Sequence, residues 1–378
     1  MQACVLLTGT TGVLGARILK DLLDHSTSKI YCLVRGDSIA EATKRVQNFL
    51  AIYDQSQKLH PAFHERVTLV LGDISSASLG LSPQVYQSLT QKIDLTIHAA
   101  ASTNLFLSYR RIEKINVFGV KQIVDFVLAT EAKRLHYIST FTVIGNKLYD
   151  PDVVFSESHL DIGQSFEDMS YQKSKFTAEQ LVRESSKLGL KWNIYRPGQI
   201  FGDSETGAYP NGKTNVGGLF LDIFKTVIET GIAFQSEGHF DMTPVDFVSR
   251  AILFFALTRD IPFETYHLLN PHPETYTGVI QLLSQEGYPI KPVLQSEYKT
   301  MLENRSLNYK SVTTQAFKSW LSRSNFDFRE TARIDSRFTT KLLAENNIFC
   351  PPINQELMHT YVQYGIKEGY FPNRSPAK

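Results

Sequence analysis

The chain has 378 residues, of which 42% are hydrophobic and 20% are charged, and this suffices for one large domain or for a core domain carrying a smaller one. Since 39 Lys and Arg residues balance 38 Asp and Glu residues, the composition argues against nucleic acid or an acidic membrane surface as a partner. The three cysteines lack CxxC spacing, and no apolar stretch approaches the ~20 residues of a membrane-spanning helix. We therefore expect a soluble, cytoplasmic protein without a disulfide framework or a metal site.

Short β-rich runs alternate with helical patterns over the first 200 residues. Six runs predict strands, namely Cys4 to Leu7, Ile30 to Val34, Val67 to Leu71, Leu95 to His98, Leu135 to Ser139 and Trp192 to Tyr195. Helices are predicted between them, as at Ala16 to Asp24, Lys114 to Ala129 and Ser174 to Lys187. This alternation predicts the α/β class, with a Rossmann-type doubly wound parallel sheet.

The pattern changes after Arg196. Residues 202–218 are rich in Gly, Pro, Asn and Ser, which is typical of a loop, and the sequence from Val279 onward reads as mainly helical and polar. We expect residues 1–200, joined again by 240–270, to form the sheet domain. Residues 201–239 and 271–378 are expected to form a smaller, mainly helical substrate-binding subdomain.

A glycine-rich turn with GxxGxxG spacing lies where the first strand enters the first helix. Free backbone N–H groups and the helix dipole favour a pyrophosphate at such a place, and the third glycine lets helix and strand pack closely. A glycine turn without a ligand is the alternative. The residues predicted to bind a dinucleotide here are Gly9, Thr11, Gly12, Val13, Leu14 and Gly15.

Arg35 lies about 20 positions beyond Gly15, where the adenosine ribose is met in dinucleotide-binding folds. Its planar guanidinium suits the 2′-phosphate of NADP, and Arg45 is a candidate second cation. Asp37 is nearby and would suit the free hydroxyl of NAD instead, and a solvated surface charge is the other reading of Arg35. We predict NADP(H) in preference to NAD(H).

Residues after two further strands are candidates for the cofactor cleft. Asp73, followed by Ile74, comes at a turn where a carboxylate can accept the adenine amino group, although an ordinary turn Asp has the same pattern. The small side chains of Ala99, Ala100 and Ala101 would let a flat cofactor approach the backbone. His98 is interpreted as a packed histidine, because no second ligand lies at metal spacing from it.

Tyr171 and Lys175 stand four residues apart, on one side of a predicted helix. A tyrosine with a pKa near ~10 exchanges protons poorly at neutral pH, and a neighbouring cation is expected to lower that pKa. A second YxxxK copy, Tyr209 to Lys213, contains Pro210 and Gly212 and is therefore not expected to be helical.

Two hydroxyls follow the strand Leu135 to Ser139, at the edge of the sheet where ligands bind in open α/β folds. Thr140 is the preferred candidate for binding a substrate oxygen, and Ser139 is the second choice. The alternative is that the hydroxyl only caps a turn.

Together, the glycine turn, the strand-end hydroxyl and the helical YxxxK resemble the extended short-chain dehydrogenase/reductase superfamily. The resemblance is narrower to the thioester reductases, which include terminal reductase domains of nonribosomal peptide and polyketide synthases, carboxylic acid reductases and aminoadipate reductases. The segments that carry it are Cys32 to Arg35 with Ala42 to Arg45, Gly72 to Ile74 with Leu79 to Ser82, Asn116 to Gly119, His136 to Thr140, Ser170 to Lys175, Tyr195 to Ile200 and Thr243 to Asp246. The last third is only loosely similar, and Phe176 and the three alanines after His98 depart from the common pattern.

This resemblance implies NADPH-dependent reduction of an acyl or peptidyl thioester, carried on the phosphopantetheine arm of a carrier protein, to an aldehyde, with a further step to an alcohol left open. Thr140, Tyr171 and Lys175 would be catalytic, and the resemblance adds Pro197, Gly198 and Ile200 to the cofactor site. Residues 146–169 and 203–218 would line the acyl channel, and the carrier would contact Arg110, Arg111 or the C-terminal part of a monomer.

Two other functions share this fold. A nucleotide-sugar epimerase or dehydratase would recycle a tightly held NAD, which Arg35 and Arg45 argue against. A non-catalytic NADPH-binding regulator usually lacks the tyrosine or the lysine, whereas Tyr171 and Lys175 are both present.

Overall fold

The computed structural model describes residues 3–105, 107–210, 219–258, 261–262, 264–303 and 332–373. Its strands are β1 (Cys4–Thr8), β2 (Lys29–Val34), β3 (Val67–Leu71), β4 (Leu95–His98), β5 (Arg134–Ile138), β6 (Val154–Phe155), β7 (Lys191–Pro197), β8 (Ile200–Phe201), β9 (Ile232–Phe234), β10 (His239–Phe240), β11 (Thr243–Pro244), β12 (Thr265–Leu268), β13 (Glu274–Thr275), β14 (Lys291–Val293) and β15 (Arg333–Ile334).

The described helices are α1 (Val13–His25), α2 (Ile39–Tyr53), α3 (His60–Arg66), α4 (Pro83–Thr90), α5 (Tyr109–Asn116), α6 (Phe118–Leu128), α7 (Ser170–Glu184), α8 (Leu219–Thr230), α9 (Val245–Leu257), α10 (Tyr276–Gln285), α11 (Gln295–Glu303), α12 (Arg337–Ala344) and α13 (Gln355–Lys367). Short 3₁₀ helices span Ala77–Gly80, Phe141–Tyr149 and Ser185–Leu188. None of these described helices is long and apolar enough to span a membrane.

Seven strands form one parallel sheet in the order β12-β7-β5-β4-β1-β2-β3. The chain starts in the middle at β1, builds outward through β2 and β3, and then returns to the other side at β4. This reversal between β1 and β4 opens a crevice at the carboxyl ends of the two strands, where Thr8 pairs with His98. The predicted α/β class and doubly wound parallel sheet are confirmed.

Both faces of the sheet are covered, which explains why β1 is apolar at successive positions. Val5 and Leu7 pack on one side with residues of α1, α2 and α9, and Leu6 packs on the other side with residues of α6 and α7. Each of these three strand side chains is fully buried. The sheet is therefore a rigid base for the segments that follow each strand.

A second core, rich in aromatic rings, lies beyond β7. Phe201, Phe224, Phe240, Tyr276 and Tyr361 are buried together there. The two-stranded pairs β9 with β14 and β10 with β13 belong to this part of the chain, so it contains strands that the expectation of a mainly helical unit omitted. Strands of two or three residues are too short to show a period of two in the sequence.

Residues of the C-terminal part also reach the first core. Leu343, near the end of α12, and Cys350 pack with the residues of α1 and α9. The expected division placed both residues in the C-terminal unit, so the two parts of the chain are more closely interwoven than that division implies. The expected domain boundaries stay a prediction.

Three predicted helices have different limits in the structure. Helix α1 begins at Val13 instead of Ala16, because Gly12 is its extended N-cap and already accepts the N–H of Ala16. The run Lys114 to Ala129 is two helices separated at Val117. Helix α7 begins four residues earlier than predicted, at Ser170.

Candidate active site

The first part of the site is the glycine corner, residues 9–15. Gly9 has a φ of +82°, and a Cβ there would lie 2.7 Å from the Ala100 nitrogen. A Cβ at Gly15 would lie 2.0 Å from the Gly9 carbonyl oxygen, and the Gly12 N–H donates to the same oxygen at 2.9 Å. Only glycine permits this turn, so α1 starts directly against the ends of β1 and β4.

The glycine corner fits a dinucleotide. No side chain caps the N-terminus of α1, which leaves the N–H groups of its first turn for an anion. The buried Thr10 hydroxyl finds no hydrogen-bond partner among the described residues. Thr11 and Val13 are partly exposed at the turn, whereas Leu14 is buried beneath it. Thr11, Val13 and Leu14 are therefore placed to present backbone groups to the pyrophosphate.

The predicted adenosine end combines two arginines and a turn. Arg35 is exposed after β2, and the Arg45 guanidinium on α2 donates to the Arg35 carbonyl oxygen, which brings both cations to one edge. Asp37 is also exposed there. Asp73 accepts from the Ser75 N–H and hydroxyl, both at 2.8 Å. The Asp73 carboxylate thus stabilises its own turn, as an ordinary turn Asp does. Its contact with adenine stays a prediction.

The segment after β4 is fixed to β1. The Ala100 N–H donates to the Thr8 hydroxyl at 3.1 Å, and this hydroxyl is also 2.8 Å from His98 Nδ1. Burial lowers the pKa of His98 to about 3, so the imidazole is neutral. Ala99, Ala100 and Ala101 are partly exposed, and Ile74 is buried against Gly119. The three alanines therefore line the crevice beside the glycine corner.

The second part of the site is the catalytic corner, defined by Thr140, Tyr171 and Lys175. Lys175 Nζ donates to the Ile138 carbonyl oxygen at 2.7 Å and to the Tyr137 hydroxyl at 3.2 Å. These bonds hold α7 against the end of β5, two residues before Thr140. The structure thus brings the predicted lysine and the predicted hydroxyl to one edge of the sheet. Desolvation lowers the pKa of Lys175 to about 7, partly opposed by Glu179.

Tyr171 lies one helical turn before Lys175 and is partly exposed. Burial raises its pKa above the ordinary value, which differs from the expectation that Lys175 lowers it. The reason is that the ammonium is engaged by β5 rather than by the phenol. A protonated phenol is the form that can donate a proton.

Thr140 is the N-cap of the 3₁₀ helix Phe141–Tyr149. Its hydroxyl oxygen accepts from the Thr142 N–H at 3.2 Å and lies 3.0 Å from the Thr142 hydroxyl. The neighbouring Ser139 hydroxyl is buried and has no partner among the described residues. Capping and substrate binding are compatible at Thr140, because a hydroxyl has one donor and two acceptor sites.

The end of β7 lies beside the end of β5 at the same edge of the sheet. Pro197 is buried, and Gly198 donates its N–H to Leu268 at 3.0 Å. A Cβ at Gly198 would lie 2.0 Å from Asp241 Oδ2, so β7 passes directly over that carboxylate before Ile200 begins β8. Burial raises the pKa of Asp241 to about 6, against hydrogen bonds from Asn270, Gln199 and Thr243.

Sequence reasoning missed the residues that hold the catalytic helix. Asn116, at the end of α5, exchanges two hydrogen bonds with the Ser102 backbone and donates to the Ser174 hydroxyl at 3.0 Å. Ser174 in turn donates to the Tyr171 carbonyl at 2.7 Å. A polar amide inside a helical run is a sequence signal for such a bridge, and it marks the break between α5 and α6.

The predicted channel segments are only partly described. Residues 146–169 are described, and residues 211–218 lie outside the described part of the chain, as does Lys213 of the second YxxxK copy. Tyr209 is buried and not helical. Asp203 forms an ion pair with Arg17, and the Ser204 N–H donates to Asp246. These contacts fix the start of the predicted channel segment 203–218. Among the described residues no group of three or more His, Cys, Asp or Glu side chains is arranged to hold a metal.

A parallel sheet with a glycine corner and a Tyr-Lys helix at its carboxyl edge defines the class of nicotinamide-dependent reductases. The family model described as "Male sterility protein", an NAD-binding domain, matches residues 7–252, and the chain belongs to this family. The predicted recognition as a terminal-reductase-type oxidoreductase with a nicotinamide cofactor is confirmed.

Three relatives illustrate the similarity. A linear gramicidin synthase of Brevibacillus parabrevis is 30% identical over 96% of this chain, which spans 7% of that relative. Carboxylic acid reductase of Mycobacterium marinum is 28% identical over 76% of the chain, and 26% of that relative is covered. The crystal structure of the terminal R domain from the myxalamid PKS-NRPS pathway is 29% identical, with a TM-score of 0.87 and coverage of 99% of this chain and 93% of that one.

Proposed function

We propose that the chain catalyses the NADPH-dependent reductive release of an acyl or peptidyl thioester from the phosphopantetheine arm of a carrier protein. The observation that supports this most directly is the hydrogen bond from Lys175 to the Ile138 carbonyl, which ties the helix carrying Tyr171 to the end of the strand that leads to Thr140. The similarity to the terminal R domain of the myxalamid PKS-NRPS pathway, which extends over 99% of this chain, supports this substrate class.

Thr140 and Tyr171 have distinct roles in this reaction. When bound, NADPH supplies the hydride for the thioester carbonyl carbon. The Thr140 and Tyr171 hydroxyls face the carbonyl oxygen and stabilise its growing negative charge. Tyr171, which burial keeps protonated before the reaction, then transfers its proton to that oxygen. Collapse of the resulting hemithioacetal breaks the C–S bond, releases the thiol with its proton and leaves an aldehyde.

The partner, the oligomeric state and the compartment belong to the same proposal. A carrier protein delivers the thioester, and Arg110 and Arg111 are exposed on α5, the helix that Asn116 ties to α7. We propose that the protein is a monomer. We also propose that it is cytoplasmic, which the free thiols of Cys4, Cys32 and Cys350 support.

The test is NADPH oxidation by the purified chain with acyl-pantetheine and acyl-CoA thioesters, with mass spectrometry of the products. We expect aldehyde, or alcohol after a second reduction, and a loss of about 10²–10⁴-fold in Tyr171→Phe. Absence of turnover with every thioester, together with tightly held NAD and conversion of a nucleotide sugar, would instead establish the epimerase function.

A further inference from the structure

Tyr137 is a fully buried tyrosine on β5, next to the residue whose carbonyl binds Lys175. Its hydroxyl oxygen is 3.2 Å from Lys175 Nζ, and the same ammonium lies 4.6 Å from the centroid of its ring. The ring also stacks on His98 of β4, with centroids 5.9 Å apart. Tyr137 therefore joins the catalytic lysine to the centre of the sheet.

The hydrogen bonds of the lysine show what Tyr137 contributes. An ammonium has three N–H donors, and β5 accepts two of them, at the Ile138 carbonyl and the Tyr137 hydroxyl. The third donor has no acceptor among the described residues and remains available to a ligand. Because a lysine side chain has a flexible four-carbon stem, two fixed acceptors and one ring face restrict where its charge can lie.

No unpaired charge faces Lys175 from the described elements around it. Glu179, one turn further along α7, is held by Arg196 of β7 at 2.7 Å. His98 of β4 is neutral, because burial lowers its pKa to about 3, and burial raises the pKa values of Tyr137 and Tyr171. Desolvation by itself favours the neutral amine, and the charged form is stabilised against it by the Glu179 carboxylate and by the two neutral acceptors of β5.

We propose that Tyr137 is a positioning residue for catalysis, whose hydroxyl holds Lys175 in its charged form with one N–H directed to the cleft. The effect of Tyr137 on kcat rests on the proposed function. Its effect on the pKa of Lys175 does not depend on that function.

The first experiment compares Tyr137→Phe with the wild type. Phenylalanine keeps the ring, its contact with the ammonium and every buried carbon, so folding is preserved, and thermal unfolding checks this. Loss of the hydroxyl removes an acceptor from the charged form. The limb of the kcat profile on which activity falls with rising pH is therefore expected to move to lower pH by about one unit, with KM for the thioester unchanged.

Tyr195→Phe is the matched control. Tyr195 is equally buried on neighbouring β7, and its hydroxyl binds His136 Nδ1 at 2.8 Å instead of Lys175. This variant loses a buried tyrosine hydroxyl but is expected to keep the wild-type limb. A limb that stays in place in Tyr137→Phe, or one that moves equally in both variants, would overturn the proposal.

The second experiment needs neither cofactor nor substrate. NMR titration of protein labelled with ¹³C at lysine Cε, with the signal assigned through Lys175→Met, gives the pKa of Lys175 directly. We expect a lower pKa in Tyr137→Phe than in the wild type. An equal pKa in both proteins refutes the positioning role. If the wild type reduces no thioester, the proposed function fails, and this titration still decides the role of Tyr137.

Discussion

The glycine corner and the catalytic corner lie along the same carboxyl edge of the sheet but are built by opposite means. In the glycine corner, missing side chains let three backbone segments meet, and a single Cβ at Gly15 would lie 2.0 Å from the Gly9 carbonyl. In the catalytic corner, Lys175 is buried among acceptors contributed by a strand almost 40 residues earlier in the chain. The first corner is therefore damaged by adding atoms and the second by removing them.

The largest effect is expected at the catalytic corner. Lys175→Met keeps the length of the side chain but loses the ammonium, and we expect kcat/KM for thioester reduction to fall by about 10²–10⁴-fold. Steady-state NADPH oxidation measures this.

Lys173→Met is the control, because Lys173 is exposed on the same helix and its ammonium lies 4.6 Å from the Tyr109 ring centroid. Its activity is expected to stay within about twofold of the wild type, as for a surface charge. Similar losses in both variants would mean that the general charge of α7 matters, rather than the ammonium held by β5.

Adding one methyl group tests the glycine corner. Gly15→Ala must separate α1 from the Gly9 carbonyl, and we expect the free energy of unfolding to fall by about 1–3 kcal/mol, with weaker NADPH binding. Gly36→Ala is the control, since its Cβ would meet nothing closer than 3.5 Å. Denaturant unfolding and NADPH fluorescence titration compare the two variants. Equal stability would contradict the close approach of α1 to β1.

Removing a charge at the predicted adenosine end tests the preference for NADPH over NADH. Arg35→Ala is expected to weaken NADPH binding about tenfold, through loss of a guanidinium from the 2′-phosphate, and to leave NADH binding unchanged. Lys44→Ala, an exposed cation on the following helix, is the control. An equal loss for NADPH and NADH would place Arg35 away from the 2′-phosphate.

The difference between the corners also explains which features of the structure can be predicted from the sequence. The glycine spacing, the six apolar strands and the Tyr171–Lys175 interval are local patterns, and the structure contains each of those strands and the helical interval. The seventh strand, β12, lay within the segment expected to rejoin the sheet but was not predicted as a strand. Its four residues, Thr265–Leu268, alternate polar and apolar but are too few for that alternation to predict a strand, and they pair with β7.

The partners in the catalytic corner were not predictable, because they come from distant parts of the chain. Tyr137 and Lys175 are 38 residues apart, and Asn116 and Ser174 are 58 apart. Without these contacts, the adjacent charge at Lys175 suggested a lowered pKa for Tyr171, whereas burial raises it. A side chain's protonation thus depends on contacts that spacing alone does not contain.

One effect is confined to acidic pH and concerns His98, which joins the two corners through Thr8 and Tyr137. Burial lowers its pKa to about 3, and the same holds for His136 and His267. Since an unfolded histidine takes up a proton near pH 6.5, the stability from keeping these rings neutral is complete above that pH and is lost as the pH falls towards 3. Each ring then contributes up to about 1.4 kcal/mol per pH unit to this loss.

Between pH 6 and 4, His98→Gln is therefore expected to reduce the slope of the unfolding free energy against pH by the equivalent of one proton. The glutamine amide can still reach the Thr8 hydroxyl. Urea unfolding across that range measures the slope, and His25→Gln is the control, since the His25 side chain is 60% exposed. An unchanged slope in His98→Gln would show that His98 is protonated in the folded protein. The two corners would then be joined by a charged imidazolium close to Lys175, which would weaken the charged form of the lysine and require a stronger acceptor than Tyr137.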